Sequence, residues 1–295
     1  MLFAEIGYRI LKEFFLTLVT VLPYFILGVI FATFLEMYSK PRFVYRYLNK
    51  GFFSVINASI LGAILPGCAC ATMPMAEGLK RKGAGLGTLS AFIMVSPLLS
   101  PQTVILTYAL LGAKFTIARI IFSLSGAILL GVIFNYLQDL KIKGFVLSTV
   151  SERECKNCSE EREERNFLRI FFSIFKSLGK YFLLGLFIAS LLMVLIPKDA
   201  IPKYIGSSGG FSYLVAALVG IPVYICEGEE IPITLALLKL GLGKGPAFTF
   251  LLGAVGTCIP TMLMAQKIIG KKPVIFYIIS WFIFAIGSGL LFSLW

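Results

Sequence analysis

Hydrophobic positions in this chain fall in long blocks, at residues 14–37, 52–79, 84–112, 115–137, 167–196, 211–238, 245–268 and 273–294, separated by short polar stretches. A helix rising 1.5 Å per residue needs about twenty apolar residues to cross ~30 Å of hydrocarbon. The pattern therefore predicts an all-α, polytopic membrane protein. The block at 14–37 is too long for a signal peptide, and no small-residue cleavage site follows it, so it reads as a retained span. One long polar stretch, 138–166, divides the blocks four and four and carries Glu160-Glu161-Arg162-Glu163-Glu164-Arg165, the composition of a solvated linker. The expected organisation is a first membrane repeat over 1–137, a linker over 138–166 and a second membrane repeat over 167–295.

The two halves echo each other at an offset of about 157 positions. Tyr24-Phe25-Ile26-Leu27-Gly28 answers Tyr181-Phe182-Leu183-Leu184-Gly185, Pro66 answers Pro222, Cys70 answers Cys226 and Pro74 answers Pro232. Further on, Gly83, Gly85 and Gly87 fall on Gly241, Gly243 and Gly245, and Pro101 pairs with Pro260 after a shift of one residue. An ordered series of this kind points to two homologous halves, a feature of secondary transporters.

Two blocks stand out, and they occupy corresponding places. Residues 52–79 and 211–238 would each make a straight helix of about 42 Å, longer than a bilayer needs. Each is interrupted near its middle, the first by Pro66-Gly67-Cys68-Ala69-Cys70 and then Pro74, the second by Pro222 through Cys226-Glu227-Gly228-Glu229-Glu230 to Pro232. Proline removes a backbone donor and obstructs the preceding turn, so breaks are expected at Pro66, Gly67, Pro74, Pro222, Gly228 and Pro232. Broken backbone at membrane depth requires protein or a water-filled cavity around it. If both segments cross the bilayer, the repeats are parallel; if both enter and return, the repeats are inverted. Re-entry collects Lys40, Lys80, Arg81, Lys82, Lys267 and Lys271 on the linker's side, whereas crossing leaves almost no charge bias. The excess of basic residues in cytoplasmic loops thus favours inverted repeats, each with a broken or re-entrant helix pair.

Composition confirms the solvent and narrows the chemistry. The chain is 58% hydrophobic and only 14% charged, with mean hydropathy +0.90, so lipid is its main surrounding. Its net charge of +12 sits in short clusters such as Lys80-Arg81-Lys82 rather than on a continuous basic face, which excludes nucleic acid as a partner and leaves the lipid bilayer. Six cysteines and no histidine rule out a His-based metal site, and the apolar setting of several cysteines argues against a secreted disulfide framework.

Cys68 and Cys70, with Cys226 and Cys258 in the other half, offer thiolates suited to a soft ion such as Cu(I), Zn or a trivalent arsenical. The competing reading is that each packs as a small hydrophobe. Glu227, Glu229 and Glu230, with Glu77 in the first half, are expected to couple protons or compensate charge, because carboxylates at mid-depth cannot face lipid. Their alternative is an aqueous surface loop. Asn57, Thr72, Ser96, Ser100, Gln102, Thr257 and Gln266 are weaker candidates, each commonly explained as an interhelical hydrogen bond. Cys155-Lys156-Asn157-Cys158 in the linker has the spacing of a metal or thiol-exchange site, although no further ligands are evident. No GxxxxGK[ST] phosphate loop is present, so ATP hydrolysis by this chain is excluded and an ion gradient is the expected energy source.

The run Leu65-Pro66-Gly67-Cys68-Ala69-Cys70-Ala71-Thr72-Met73-Pro74, the basic Lys80-Arg81-Lys82 with Gly83, Gly85 and Gly87, and then Ala91-Phe92 and Ser96-Pro97, resembles the ArsP-type predicted permease family. The resemblance extends over nearly the whole chain. It implies a multi-pass cell-membrane permease, not an enzyme, that exports a thiophilic metalloid or metal, with Cys68 and Cys70 as the motif-matched residues. The run departs from the usual CSCG-type turn by placing Gly before the first Cys and Ala-Thr after the second. The glutamates are not part of the resemblance. A small inorganic or organometalloid solute is then the partner, with no cofactor. Two other readings stay open: a membrane thiol oxidoreductase using Cys68/Cys70 and Cys155/Cys158, and an importer of a sulfur-containing anion held by half-helix N-termini.

Overall fold

The computed structural model describes residues 2–38, 47–48, 51–65, 68–140, 167–195, 210–219, 227–256 and 258–295. Pro66, Gly67, Cys155, Cys158, Pro222, Cys226 and Thr257 lie outside them. Twelve helices are present among the described residues: α1 (Leu2–Tyr38), α2 (Phe52–Ile64), α3 (Ala69–Arg81), α4 (Leu86–Leu98), α5 (Pro101–Leu111), α6 (Ala113–Asp139), α7 (Phe167–Leu195), α8 (Phe211–Val219), α9 (Glu230–Lys239), α10 (Lys244–Gly256), α11 (Ile259–Ile269) and α12 (Lys271–Leu294). Four of them, α1, α6, α7 and α12, are long and apolar enough to cross a membrane. Counting the bent pairs α4–α5 (43°) and α10–α11 (55°) as single spans gives six. Their outer faces carry large exposed apolar side chains, Phe15, Leu27, Ile121, Leu129, Phe187 and Ile283 among them, as a lipid-facing surface requires.

The apolar blocks thus contain more breaks than the sequence reading placed. Blocks 84–112 and 245–268 were expected as ordinary spans, yet each bends in its middle. In the first, the chain turns at Leu99 and Ser100 ahead of Pro101, which sits at the start of α5 where its missing N–H costs nothing. Prolines stand just inside helix starts elsewhere: Pro232 lies in the first turn of α9 and Pro260 at the head of α11. Pro74 lies within α3, so the chain breaks before it rather than at it.

Where the short helices begin and end fixes how the chain is threaded. The Gly85 N–H, just after α3, donates to the Leu48 carbonyl ahead of α2 (3.1 Å), so the two ends of the α2–α3 segment lie together. Asn135, near the end of α6, joins the same level by donating to the Gly51 carbonyl (3.4 Å) and accepting from the Gly87 N–H (3.2 Å). In the second half, Gly245 at the head of α10 lies against Tyr213 of α8 and Gly289 and Ser293 near the end of α12.

Glycine sets the closest approaches. A Cβ on Gly87 would overlap the Gly131 carbonyl oxygen, and one on Gly289 would overlap Thr249 and crowd the Gly245 carbonyl. These contacts hold α4 against α6 and α10 against α12 at small-residue distance, the way helices associate in lipid where apolar burial gives no net drive. Gly87→Val should therefore destabilise the protein by about 1–3 kcal/mol. Gly287→Ala, with open space around it, should be neutral or slightly stabilising. Thermal unfolding of both variants in detergent checks the contrast.

Candidate functional site

Three of the breaks leave a helix N-terminus in the protein interior. Cys68 is the N-cap of α3, Ser100 of α5 and Cys258 of α11. Each end carries unpaired backbone N–H groups and the positive end of a helix dipole. The three caps lie within electrostatic reach of one another or of Glu227. Cys68 interacts electrostatically with Cys258, and Glu227 hydrogen-bonds Ser100 while standing close enough to Cys68 to feel its charge. Cys70, the second residue of α3, hydrogen-bonds Cys68. All three described cysteines are free thiols, with Cys70 and Cys258 buried and Cys68 partly exposed.

Hydroxyl groups line the same centre. Thr72 donates or accepts a 2.8 Å hydrogen bond with Ser96 and also bonds the Cys68 carbonyl (3.1 Å). Cys258 Sγ pairs with Thr261 Oγ1 at 2.6 Å, and Ser100 Oγ pairs with Thr103 Oγ1 at 3.2 Å. Tyr277 of α12 is buried beside Cys258, and its hydroxyl has no hydrogen-bond partner among the described residues. A buried, unpaired phenol next to a free thiol is an open donor and acceptor for a bound solute.

The acidic turn is held by a cation the sequence reading did not single out. Arg119 of α6 is fully buried and donates to Glu230 Oε1 (2.8 Å), to the Leu98 carbonyl (2.8 Å) and to Thr107 Oγ1 (3.1 Å). Glu230, also fully buried, accepts the Gly228 N–H on its other oxygen (2.7 Å). Leu98 is the last residue of α4, so Arg119 fills the carbonyl vacated by the break and clamps it to the turn that carries Glu227. Gly228 takes φ +95, a backbone state that glycine reaches without strain.

Of the predicted residues, Cys68, Cys70, Cys258, Glu227 and Ser100 come together, while Glu230 stands behind them in its ion pair. Glu229 is exposed. Glu77 is not at the centre: nine residues along α3 from Cys68, about 13 Å by helical rise, it pairs with Arg81 (3.3 Å). Asn57 reaches the Tyr47 carbonyl (3.4 Å) at the chain's entry to α2, and Gln102 lies near Gly228. Gln266 contributes its backbone carbonyl to the end of α11. No group of three Cys, Asp or Glu side chains close enough to hold a metal ion exists among the described residues. Arg119 had a legible signal, as the lone charge in the interior of the apolar block 115–137; Tyr277 had none.

Spanning helices with apolar outer faces, enclosing bent helices whose polar ends meet inside, define a multi-pass membrane permease. The chain belongs to the ArsP_1 family of predicted permeases, whose model matches residues 9–294. It is similar to UPF0718 protein MJ0584 of Methanocaldococcus jannaschii, 23% identical over 81% of this chain and 82% of that one. It is also similar to UPF0718 protein YcgR of Bacillus subtilis, 23% identical over 98% of both. A Streptococcus mutans protein, provisionally named a two-component membrane permease complex subunit, is 22% identical over 89% of this chain and 87% of that one. No solved structure matches.

Proposed function

We propose that this permease is a secondary-active exporter of a thiophilic metalloid or metal, with Cys68 and Cys258 as the capturing thiols. The observation that carries the reading is the meeting of two free thiols, each at a helix N-cap from a different half, with the Glu227 carboxylate. Thiols are the ligands soft cations prefer, and each loses a proton on coordination. Glu227 stands where it would receive such a proton or balance the cargo's charge. Cys70 and the Tyr277 hydroxyl supply further contacts, and Cys226, the residue just before Glu227, is a fourth candidate thiol. Arg119 and Glu230 are positioning residues that hold the acidic turn against the first-half break.

The threading supports two inverted repeats with re-entrant pairs α2–α3 and α8–α9. Matching contacts recur 158 positions apart: Gly87 with Gly131 and Gly245 with Gly289, Ser100 with Thr103 and Cys258 with Thr261. Alternating exposure of a central site by rocking of two repeats is the mechanism such an architecture suits. A second reading, an importer of a sulfur-containing anion, draws on the convergence of helix N-termini, which favours negative charge.

Uptake by inverted vesicles of trivalent methylarsenical, Cu(I) and Zn tests the first reading. Accumulation of at least one of these should fall tenfold or more in Cys68→Ser and in Cys258→Ser at equal protein level, and Glu227→Gln should remove its dependence on a proton gradient. Transport indifferent to both thiols, with uptake of a sulfur-containing anion instead, sinks the exporter reading.

A further inference from the structure

Away from the thiol centre, α7 and α11 enclose an open cleft of about 290 Å³ lined by Ser173, Lys176, Ser177, Lys180, Tyr181 and Lys267. We propose that this cleft binds the phosphate headgroup of an anionic membrane lipid.

The sequence sets up the site before the fold completes it. Arg169, Ser173, Lys176, Ser177 and Lys180 recur at spacings of three and four, so they form one polar stripe over the first turns of α7. That stripe faces Lys267 in the last turn of α11. Arg81, at the end of α3, reaches Ser173 (3.3 Å) but is engaged by Glu36 (3.6 Å) and Glu77 (3.3 Å). Lys80 adds positive charge near Lys267 and is itself close to Glu77. By contrast, among the described residues no carboxylate pairs with Lys176, Lys180 or Lys267.

A lysine in the last turn of a helix, or near a cytoplasmic membrane face, needs no ligand to explain it. Those rules do not account for three lysines from two helices converging on one cleft with two serine hydroxyls and a tyrosine, with no paired carboxylate among the described residues. The inventory is all donors: three ammonium groups and three hydroxyls, the complement of a phosphate's acceptor oxygens.

The depth of the cleft selects the source of that phosphate. α7 has 29 residues, about 43 Å long and roughly 13 Å more than the hydrocarbon needs. With that excess at the N-terminal end of α7, where the polar stripe lies, Lys176, nine residues from the start, stands near headgroup level, with Lys180 one turn deeper and able to extend its ammonium upward. Exposed apolar side chains adjoin the stripe on the same helix, Phe172 above and Leu184 and Phe187 below. An amphiphile would set its head among the lysines and its chains along this surface. Basic pockets between membrane helices recognise anionic headgroups in this manner.

The test uses the whole protein in phosphatidylcholine nanodiscs, doped with phosphatidylglycerol in one arm and exposed to millimolar inorganic phosphate in the other. Phosphatidylglycerol should raise the melting temperature and survive as a retained lipid in native mass spectrometry, while inorganic phosphate should do neither. Lys176→Gln/Lys180→Gln/Lys267→Gln should lower the apparent lipid affinity by about tenfold or more. Its melting temperature in pure phosphatidylcholine should equal that of the parent, which reports intact folding. Lys239→Gln/Lys244→Gln/Lys271→Gln, equal in charge removed, should keep the effect. A melting shift from inorganic phosphate as large as that from lipid, lost in the first triple variant, overturns the lipid assignment in favour of a soluble phosphate. No shift in either arm, or one equally lost in the control triple, overturns the site itself. None of these readouts involves transport, so their failure leaves the exporter reading untouched, and its failure leaves them untouched.

Discussion

Arg119→Ala should cost the folded protein about 3–5 kcal/mol, the magnitude typical of removing one partner from a buried ion pair. The reason is what remains behind. Glu230 would keep a full charge in a fully buried position with the Gly228 N–H as its remaining hydrogen-bond donor among the described residues, the Thr107 hydroxyl would lose the guanidinium, and the Leu98 carbonyl would keep only the longer bond from Thr103 (3.3 Å). Thermal unfolding in detergent should show a large fall in melting temperature. Arg119→Leu/Glu230→Leu should be less harmful than Arg119→Ala alone, since removing both charges leaves neither unpaired. A melting curve for Arg119→Ala that matches the parent, or a double variant worse than the single, would show that the pair does not hold the two halves together.

Trp281→Ala should be similarly costly, at about 3–5 kcal/mol. Trp281 is fully buried, its indole N–H donates to the Leu252 carbonyl (3.1 Å), and its ring lies directly on Gly256, the last residue of α10 before the second bend. Truncation leaves a large cavity and removes the indole hydrogen bond to the Leu252 carbonyl in the last turns of α10, where the helix is about to end. Trp281→Phe keeps most of the volume and loses the hydrogen bond, so it should fall between parent and Trp281→Ala. Equal stability of all three would mean that the bend supports itself.

Much of the fold was legible because lipid imposes simple rules on sequence. Block length gave the long spans, and the Pro/Gly/Cys interruption gave the break ahead of α3. The breaks in α4–α5 and α10–α11 were missed for a physical reason. Ser100 and Cys258 are small and sit among apolar residues, so the blocks read as continuous, and the prolines that follow are ones a helix start accepts. Cys68, Cys258, Glu227 and Ser100 were each named as candidates, but their meeting was not, because four positions drawn from four separate segments carry no common spacing. Glu77 was misplaced by analogy with the other acids: its partner Arg81 lies four residues on, the ordinary geometry of a helical ion pair. Arg119 was the clearest omission, since an intramembrane charge asks for a partner even when the partner lies in the other half.

That partnership bears on how the protein is made and kept. A first half inserted alone would carry Arg119 in a helix otherwise suited to lipid, and a second half alone would carry Glu230 without its cation. Each fragment therefore displays an uncompensated charge at the place where a membrane quality-control protease or chaperone would find it. Mutual concealment makes the uncut chain a safer unit of synthesis than two separately encoded halves, and split versions should survive in cells only when both pieces are produced together.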